Sequence, residues 1–193
     1  MMLHSRRPIL LFAVLFAIAG LFAACDQSGM DGPESMTYTA PLSALNSSGV
    51  SGQATVTVQG NQLTVAVDAQ GAEAERVHAQ HIHGFESESS GCPTAAADTS
   101  SVSEGAPSYG GILVPLDGSL DDAEGLGDLE TFPTGNGSYA YERSIMTGEL
   151  DVNDDRSFDD LRLDDHAIVV HGRTVDGEYK ATLPVACGTL SRQ

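Results

Sequence analysis

The sequence of 193 residues has no tryptophan, a single lysine and only three cysteines. Its 9 basic residues stand against 27 acidic ones, which gives a formal net charge of −18 at pH 7. A surface this acidic repels phosphate, so the composition argues against nucleic-acid binding. Charged residues make up only 19% of the chain and hydrophobic residues 41%, which excludes an acidic disordered tail. The length suits one domain with short flanking segments.

The N-terminus has the pattern of a secretory signal. His4, Arg6 and Arg7 precede an uncharged apolar run of 14 residues, Ile9–Phe22. This run is short for crossing a membrane and has the right length for the core of a signal peptide. Residues 1–24 are therefore predicted to be a signal peptide, and the protein is predicted to be exported.

The segment Phe22-Ala23-Ala24-Cys25 resembles the bacterial lipobox, with Phe22 where leucine is usual. The resemblance implies a lipoprotein of the cell envelope, attached to the membrane only through a lipid on Cys25, on the periplasmic or the surface side. Residues 25–35 are small and polar and are predicted to be a flexible tether. The alternative is an ordinary signal peptide cut near Ala24, which leaves Cys25 free. The mature chain keeps seven basic residues and all 27 acids, a net charge of −20.

The rest of the chain, residues 36–193, consists of short alternating segments. Gln53–Val58 and Gln62–Val67 flank Gln59-Gly60-Asn61, a pattern typical of a β-hairpin, and Asp176-Gly177 predicts a second hairpin turn. No segment after residue 24 shows a convincing helical stripe. The pattern predicts an all-β domain, an antiparallel Greek-key sandwich or barrel. The other predicted strands are Met36–Ala40, Val77–His83, Ile112–Leu116, Ser138–Ile145, Ala167–Arg173 and Tyr179–Cys187.

Two stretches fit no strand, residues 84–111 and 117–137. Both are rich in small and acidic residues and are predicted to be long acidic surface loops, where functional residues are often found. Cys92 lies in the first loop and Cys187 on the last predicted strand. In an exported protein this pair is expected to be oxidised. The alternative is a pair of thiols in a metal site.

Five histidines follow the signal segment, and three lie in His78-Ala-Gln-His81-Ile-His83. On a strand His81 and His83 share one face, which aims two imidazoles at one point. Imidazole is a ligand for copper, zinc, nickel and iron. His171 is the expected third ligand, with His166 as its rival, and His78 points to the other face as a structural hydrogen-bonding residue. The alternative is that these histidines only pack or face solvent.

Together these features resemble the copper/zinc superoxide dismutase family. The run from His78 to His83, the step from His83 to Cys92, the strand Ala167–His171 and the segment Val185-Ala-Cys187-Gly188 follow one another in the family's order. The resemblance covers residues 36–190, with specific matches at 77–92 and 167–190. It implies an eight-stranded Greek-key barrel, a copper site formed by His81, His83 and His171, and a disulfide between Cys92 and Cys187.

The sequence also departs from the family. No histidine lies between His83 and His166 to match the family's bridging and zinc-binding histidines, so zinc is not expected. Pro184 stands where the family has an arginine that guides superoxide, and Arg173 is the one nearby cation. A net charge of −20 further opposes an anionic substrate. We therefore expect one bound copper ion with weak or no superoxide dismutation.

Two further patterns give alternatives. Tyr38–Leu45, Gly52–Val58 and His81–Gly84 resemble the chordin-type (CHRD) domain, which implies a metal-free binding or structural module of the cell envelope. The run Asp151-Val-Asn153-Asp154-Asp155-Arg156-Ser157 alternates oxygen-bearing side chains as a calcium loop does. However, Arg156 stands where such a loop needs glycine and Arg162 occupies position twelve. A solvated acidic loop is expected here, as at Asp98, Glu104 and the acids of residues 121–130. The sequence does not identify the protein partners, which stay unknown.

Overall fold

The computed structural model describes residues 34–94, 102–120, 125–153 and 156–193. The predicted signal peptide 1–24, the lipidation site Cys25 and the tether as far as residue 33 lie outside the described residues. So do Asp98, Asp154, Asp155, the acids between 121 and 124, and the side chain of Glu104. Within the described part, no helix is both long and apolar enough to cross a membrane.

The described chain is dominated by β-strands. Two short 3₁₀ turns, Phe158–Asp160 and Leu163–Asp165, precede the seventh strand. The main elements are β1 (Ser35–Ala44), β2 (Ser51–Gln59), β3 (Gln62–Gln70), β4 (Gln80–Gly84), α1 (Val102–Tyr109), β5 (Gly111–Pro115), β6 (Ser138–Met146), β7 (Ala167–Val175), β8 (Glu178–Thr189) and β9 (Ser191–Arg192).

All strand pairs are antiparallel and follow the order β5-β4-β7-β8-β1-β2-β3-β6, with β9 beside β1. Strand β1 joins the two halves of this curled sheet, because Ser35–Leu42 pair with β2 whereas Ser43 and Ala44 pair with β8. The chain passes from one half to the other after β3, after β5 and again after β6. The predicted all-β, antiparallel Greek-key class is therefore confirmed.

The two halves enclose one hydrophobic core. Alternate residues of the half containing β2 and β3 point inward and are fully buried, as period-two patterning with β-branched side chains requires. They meet inward-facing residues of β4, β5, β7 and β8. The cluster includes Val56, Val58, Val65, Val67, Ile82, Leu113, Ile168, Val170 and Val185.

All eight predicted strands are present with shifted ends, and both predicted hairpins are formed. Gln59 pairs with Gln62 across a two-residue turn. Val175 pairs with Glu178 across Asp176-Gly177, both of which have positive φ, as the favoured hairpin turn requires. Strand β4 begins at Gln80, three residues later than predicted.

The prediction of loops without helix in residues 84–111 is wrong at one place, since this stretch contains α1. A helix of eight residues that includes Gly105 and Pro107 has no stripe that a sequence pattern could show. Its last residue, Tyr109, is fully buried. The stretch 117–137 is not wholly on the surface either, because Leu120, Phe132 and Asp117 are buried. The short strand β9 also lacked a sequence signal.

Candidate metal centre

Two neighbouring strands carry the three histidines predicted as ligands. On β4, Ile82 enters the core while His81 and His83 point to the opposite face. His81 pairs with Val169 of β7, so His171, two residues further along β7, lies on the same face. The β7–β8 ladder is irregular at His171, and the His171 amide donates to the carbonyl of Ala79 at 2.8 Å. Sheet geometry thus brings together residues 90 positions apart in sequence.

The three imidazoles form a tight, buried group. Their ring centroids lie 5.4 Å apart for His81 and His83, 5.1 Å for His81 and His171, and 5.7 Å for His83 and His171. Each residue offers a ring nitrogen within 4.8 Å of the other two. The side chains are only 1–2% exposed. Among the described residues, this is the one group of three or more potential ligands close enough to hold a metal ion.

Main-chain carbonyls fix the orientation of each ring. His81 Nε2 lies 3.0 Å from the oxygen of Leu126, His83 Nδ1 lies 3.1 Å from that of Gly110, and His171 Nδ1 lies 2.9 Å from that of Thr182. Because a carbonyl oxygen only accepts, each of these ring nitrogens carries the proton and donates it. The lone pairs then reside on the remaining nitrogens, His81 Nδ1, His83 Nε2 and His171 Nε2. Among the described residues these three buried atoms have no hydrogen-bond partner.

This arrangement fits a metal ion. In metalloproteins a ligating imidazole typically donates its other N–H to a carbonyl or carboxylate, which orients the ring. A metal–nitrogen distance of about 2 Å places three ligands about 3.5 Å apart in a trigonal arrangement. In the structure the ring nitrogens lie up to 4.8 Å apart, so each ring has to move about 1 Å toward the metal position on binding. Three neutral imidazoles are a donor set well suited to copper.

Burial keeps the rings in the protonation state that a metal needs. It lowers the pKa of His81 to about 4, against the smaller opposing effects of the Leu126 carbonyl and the Asp117 carboxylate. Burial, with the neighbouring His81, lowers the pKa of His83 to about 3. Burial also sets the pKa of His171 well below its usual range. All three are therefore neutral at pH 7, so a metal displaces no proton from them.

The three histidines line a small cavity of about 60 Å³. Its volume has room for a metal ion and a few water-sized ligands. Ala79, Ile112 and Ala181 contribute apolar walls, and none of the described residues that line it carries a charged side chain. Leu126 and Leu129 also line the cavity, and each is about half exposed, 48% and 49%. Access from solvent is thus past leucine side chains.

The two long loops cover this face of the sheet. Tyr109, at the end of α1, packs edge-on against His83 with ring centroids 4.7 Å apart, and Phe132 packs against His81 at 5.5 Å. Gly110 has a φ of +87°, and a Cβ there would collide with the Gly84 carbonyl. Only glycine therefore brings the Gly110 carbonyl onto His83. Sequence patterns missed Leu126, Gly110 and Thr182 because they act through main-chain oxygens, which leave no side-chain signature.

A disulfide fixes the first loop beside the site. Cys92 and Cys187 are bonded, with Cα atoms 5.7 Å apart, which confirms the predicted pair. Cys187 lies directly opposite Val169 in the β7–β8 ladder. The bond closes a loop of 95 residues, worth about 4.7 kcal/mol on the chain-entropy model. A disulfide of this kind is typical of an extracytoplasmic protein.

The remaining histidines lie outside the cluster. His78 is buried, and its two ring nitrogens contact main-chain oxygens of His171 at 3.1 Å and Glu73 at 2.9 Å. It thereby links the segment before β4 to β7 behind the three grouped histidines. His166 is buried against Gly84, and burial lowers its pKa. His166 is not one of the three grouped histidines.

In the segment compared with a calcium loop, the described side chains serve local contacts. The Asn153 amide donates to the Ile112 carbonyl at 2.9 Å, which ties the segment to β5. Ser157 donates both its amide and its hydroxyl to the Asp160 carboxylate.

Comparisons with known proteins give a fold neighbour only. No protein-family model matches the sequence, and no curated protein matches it. Among solved structures, the chain is similar to superoxide dismutase 5 of Candida albicans in its Cu(II) form. The TM-score is 0.47 at 16% sequence identity, over 82% of this chain and 91% of that chain. A backbone likeness at this level says nothing about metal or activity, so both are judged from the side-chain geometry.

Proposed function

We propose that this protein is an exported, lipid-anchored, superoxide dismutase-like protein that binds one copper ion through His81, His83 and His171. The observation that carries the proposal is the convergence of three buried, unpartnered ring nitrogens, each set by a carbonyl on the other side of its ring. Unpartnered buried polar atoms are costly unless something binds them. Each of the three histidines also offers a ring nitrogen within 4.8 Å of the other two, which supports one shared ligand position.

Bound copper would supply one-electron redox chemistry at this position. The chain's own groups hold the three rings neutral and correctly oriented, and the apolar walls exclude bulk water. The cluster contains no fourth imidazole and no carboxylate, since it consists of three histidines alone. We propose that the zinc site of the resembled family is lost, because no histidine lies between His83 and His166.

Superoxide dismutation is proposed to be weak or absent. Among the described residues no cationic side chain lines the histidine cavity, and the one charge acting on the pKa of His81 among them is the negative Asp117 carboxylate. Pro184 occupies the place of the resembled family's guiding arginine. An anion approaching the mature chain, of net charge −20, therefore meets repulsion, and no cation among the described residues at the cavity offsets it. Copper binding is the function that the geometry supports best.

Copper titration of the purified full chain tests the proposal. One equivalent of Cu(I) or Cu(II) should bind against a competing chelator, and His81→Ala should abolish binding. His166→Ala is the matched control, since it removes a buried histidine outside the cluster and should leave binding unchanged. Loss of affinity in His166→Ala but not in His171→Ala would show that the third ligand is misassigned. A superoxide decay assay on the loaded protein should give no more activity than the same amount of free copper.

The alternative function is a metal-free, CHRD-like module of the cell envelope. It predicts no copper binding by the wild-type chain and no effect of His81→Ala beyond stability. The proposed anchor has a separate test. Mass spectrometry of the protein from a lipoprotein-producing bacterium should find an acylated Cys25 as the first residue, and Cys25→Ser should be released from the membrane.

A further inference from the structure

The hairpin formed by β7 and β8 places two cations opposite each other. Arg173 pairs directly with Lys180 in the ladder, and Lys180 is the only lysine in the sequence. The sequence has 9 basic residues and 27 acidic ones. Like charges at directly opposed positions of a β-ladder repel each other. An anion bound between the two cations would offset this repulsion more directly than the exposed Glu178 beside Lys180 does.

The two cations line one groove of about 400 Å³. Its wall also includes the turn residues Asn46 and Ser47 and the apolar side chain of Leu183. The groove shares no lining residue with the histidine cavity. Its volume lies within the usual range for small-molecule sites, so it has room for an organic ligand and not only for a bare ion.

Arg173 is oriented by one hydrogen bond and keeps further N–H donors for a ligand. One of its N–H groups donates to the Asn46 carbonyl, and it is half-buried. Among the described residues no carboxylate forms an ion pair with it. A guanidinium has five N–H donors in a planar fork, a geometry that suits two oxygens of one carboxylate or phosphate. The arginine is therefore oriented and still able to bind an oxyanion.

Two carboxylates, those of Glu178 and Asp176, compete with an anion for these cations. Lys180 pairs with Glu178, but both side chains are well exposed, 47% and 73%, and exposed pairs of this kind are weak. The Lys180 ammonium is thus able to exchange Glu178 for a ligand. Asp176 lines the groove and opposes an anion. It occupies the first position of the hairpin turn, with a φ of 53°, a position that asparagine also favours.

We propose that this groove binds a small organic oxyanion, a phosphate ester or a carboxylate, between Arg173 and Lys180. Arg173 provides the fork, Lys180 provides the second positive charge, and Leu183 contacts the apolar part of the ligand. This proposal does not depend on copper. The site is a second binding function of the domain, separate from the histidine cavity.

The test uses the purified full chain, freed of metal by chelation, so that its outcome is independent of the histidine site. Inorganic phosphate and citrate are titrated at constant ionic strength made up with NaCl, and amide shifts are followed by NMR. Binding should shift the amides of residues 46–48 and 173–183. Lys180→Gln should weaken binding about tenfold, as the loss of one charge-assisted contact predicts. Asp176→Asn should strengthen it about two- to fivefold.

Arg192→Gln is the matched control, because it removes an exposed cation outside the groove and should leave the affinity unchanged. Binding of phosphate but not citrate supports phosphate esters, and the reverse supports carboxylates. The proposal is overturned if neither anion shifts these amides. It is also overturned if Lys180→Gln, Arg173→Gln and Arg192→Gln all weaken binding equally, which would be a general charge effect. The strengthening by Asp176→Asn keeps the test decisive if Arg173→Gln fails to fold.

Discussion

The metal-free protein should lose at least about 4 kcal/mol of its free energy of unfolding between pH 7 and pH 5. The cause is the burial of His81 and His83, each at most 2% exposed, which lowers their pKa values to about 4 and about 3. In the unfolded chain both have a pKa of about 6.5. Below that pH the histidines of the unfolded state bind protons, whereas the buried histidines of the folded state do not. Stability therefore falls as the pH falls from 6.5 toward 4.

The magnitude follows from the width of the window. One pKa unit corresponds to about 1.4 kcal/mol, and pH 5 lies about 1.5 units below the unfolded-state pKa. Each ring therefore costs about 2 kcal/mol at pH 5, and His171 acts in the same direction. The Asp117 carboxylate near His81 acts against the burial effect but does not cancel it. The lowered pKa values of Glu73 and Asp160 matter only below their usual values of 4.5 and 3.8, outside this window.

Urea unfolding at pH 7 and at pH 5, followed by circular dichroism after removal of metal, measures the difference. His83→Gln keeps a polar side chain but removes one titrating ring. Between pH 7 and pH 5 this variant should therefore lose about 2 kcal/mol less free energy of unfolding than the wild type does. Leu129→Gln, at the half-exposed rim of the cavity, is a control that should keep the full loss. Equal stability of the wild type at both pH values would contradict the assigned effect of burial. So would a loss of free energy of unfolding in His83→Gln as large as that of the wild type.

Three further predictions concern the support of the site. Gly110→Ala should lower the free energy of unfolding by about 1–3 kcal/mol, because Gly110 has a positive φ, and this is measured from denaturant midpoints. It should also weaken copper binding in a chelator competition, because the Gly110 carbonyl orients His83. Replacing Cys92 and Cys187 by alanine should cost about 4–5 kcal/mol in urea unfolding, and an unchanged midpoint would contradict the chain-entropy estimate. Ile82→Ala, on the core face of β4, should cost about 2–5 kcal/mol yet leave the copper stoichiometry at one. Loss of copper binding in Ile82→Ala would instead mean that core packing sets the ligand geometry.

Periodicity made most of the sheet predictable. Short-range alternation places Val56 and Val58 on one face, and Asp176-Gly177 requires a turn whatever the rest of the chain does. The same alternation placed His81 and His83 on a common face. Such signals are local, since they depend only on backbone geometry within a few residues. The helix α1 escaped prediction because its stability comes from burying Tyr109, a tertiary contact, and not from helical propensity.

The sequence by itself determined the all-β class, the hairpins, the acidic charge and the residue types able to bind copper, because each of these follows from composition or from local periodicity. Only the tertiary structure decided that His171, and not His166, joins His81 and His83, since strand register places partners that are distant along the chain. The tertiary structure also decided which main-chain carbonyls orient the rings, namely those of Gly110, Leu126 and Thr182. It likewise decided that Arg173 lies opposite Lys180. Main-chain oxygens are common to every residue, so only folding selects the ones that become functional.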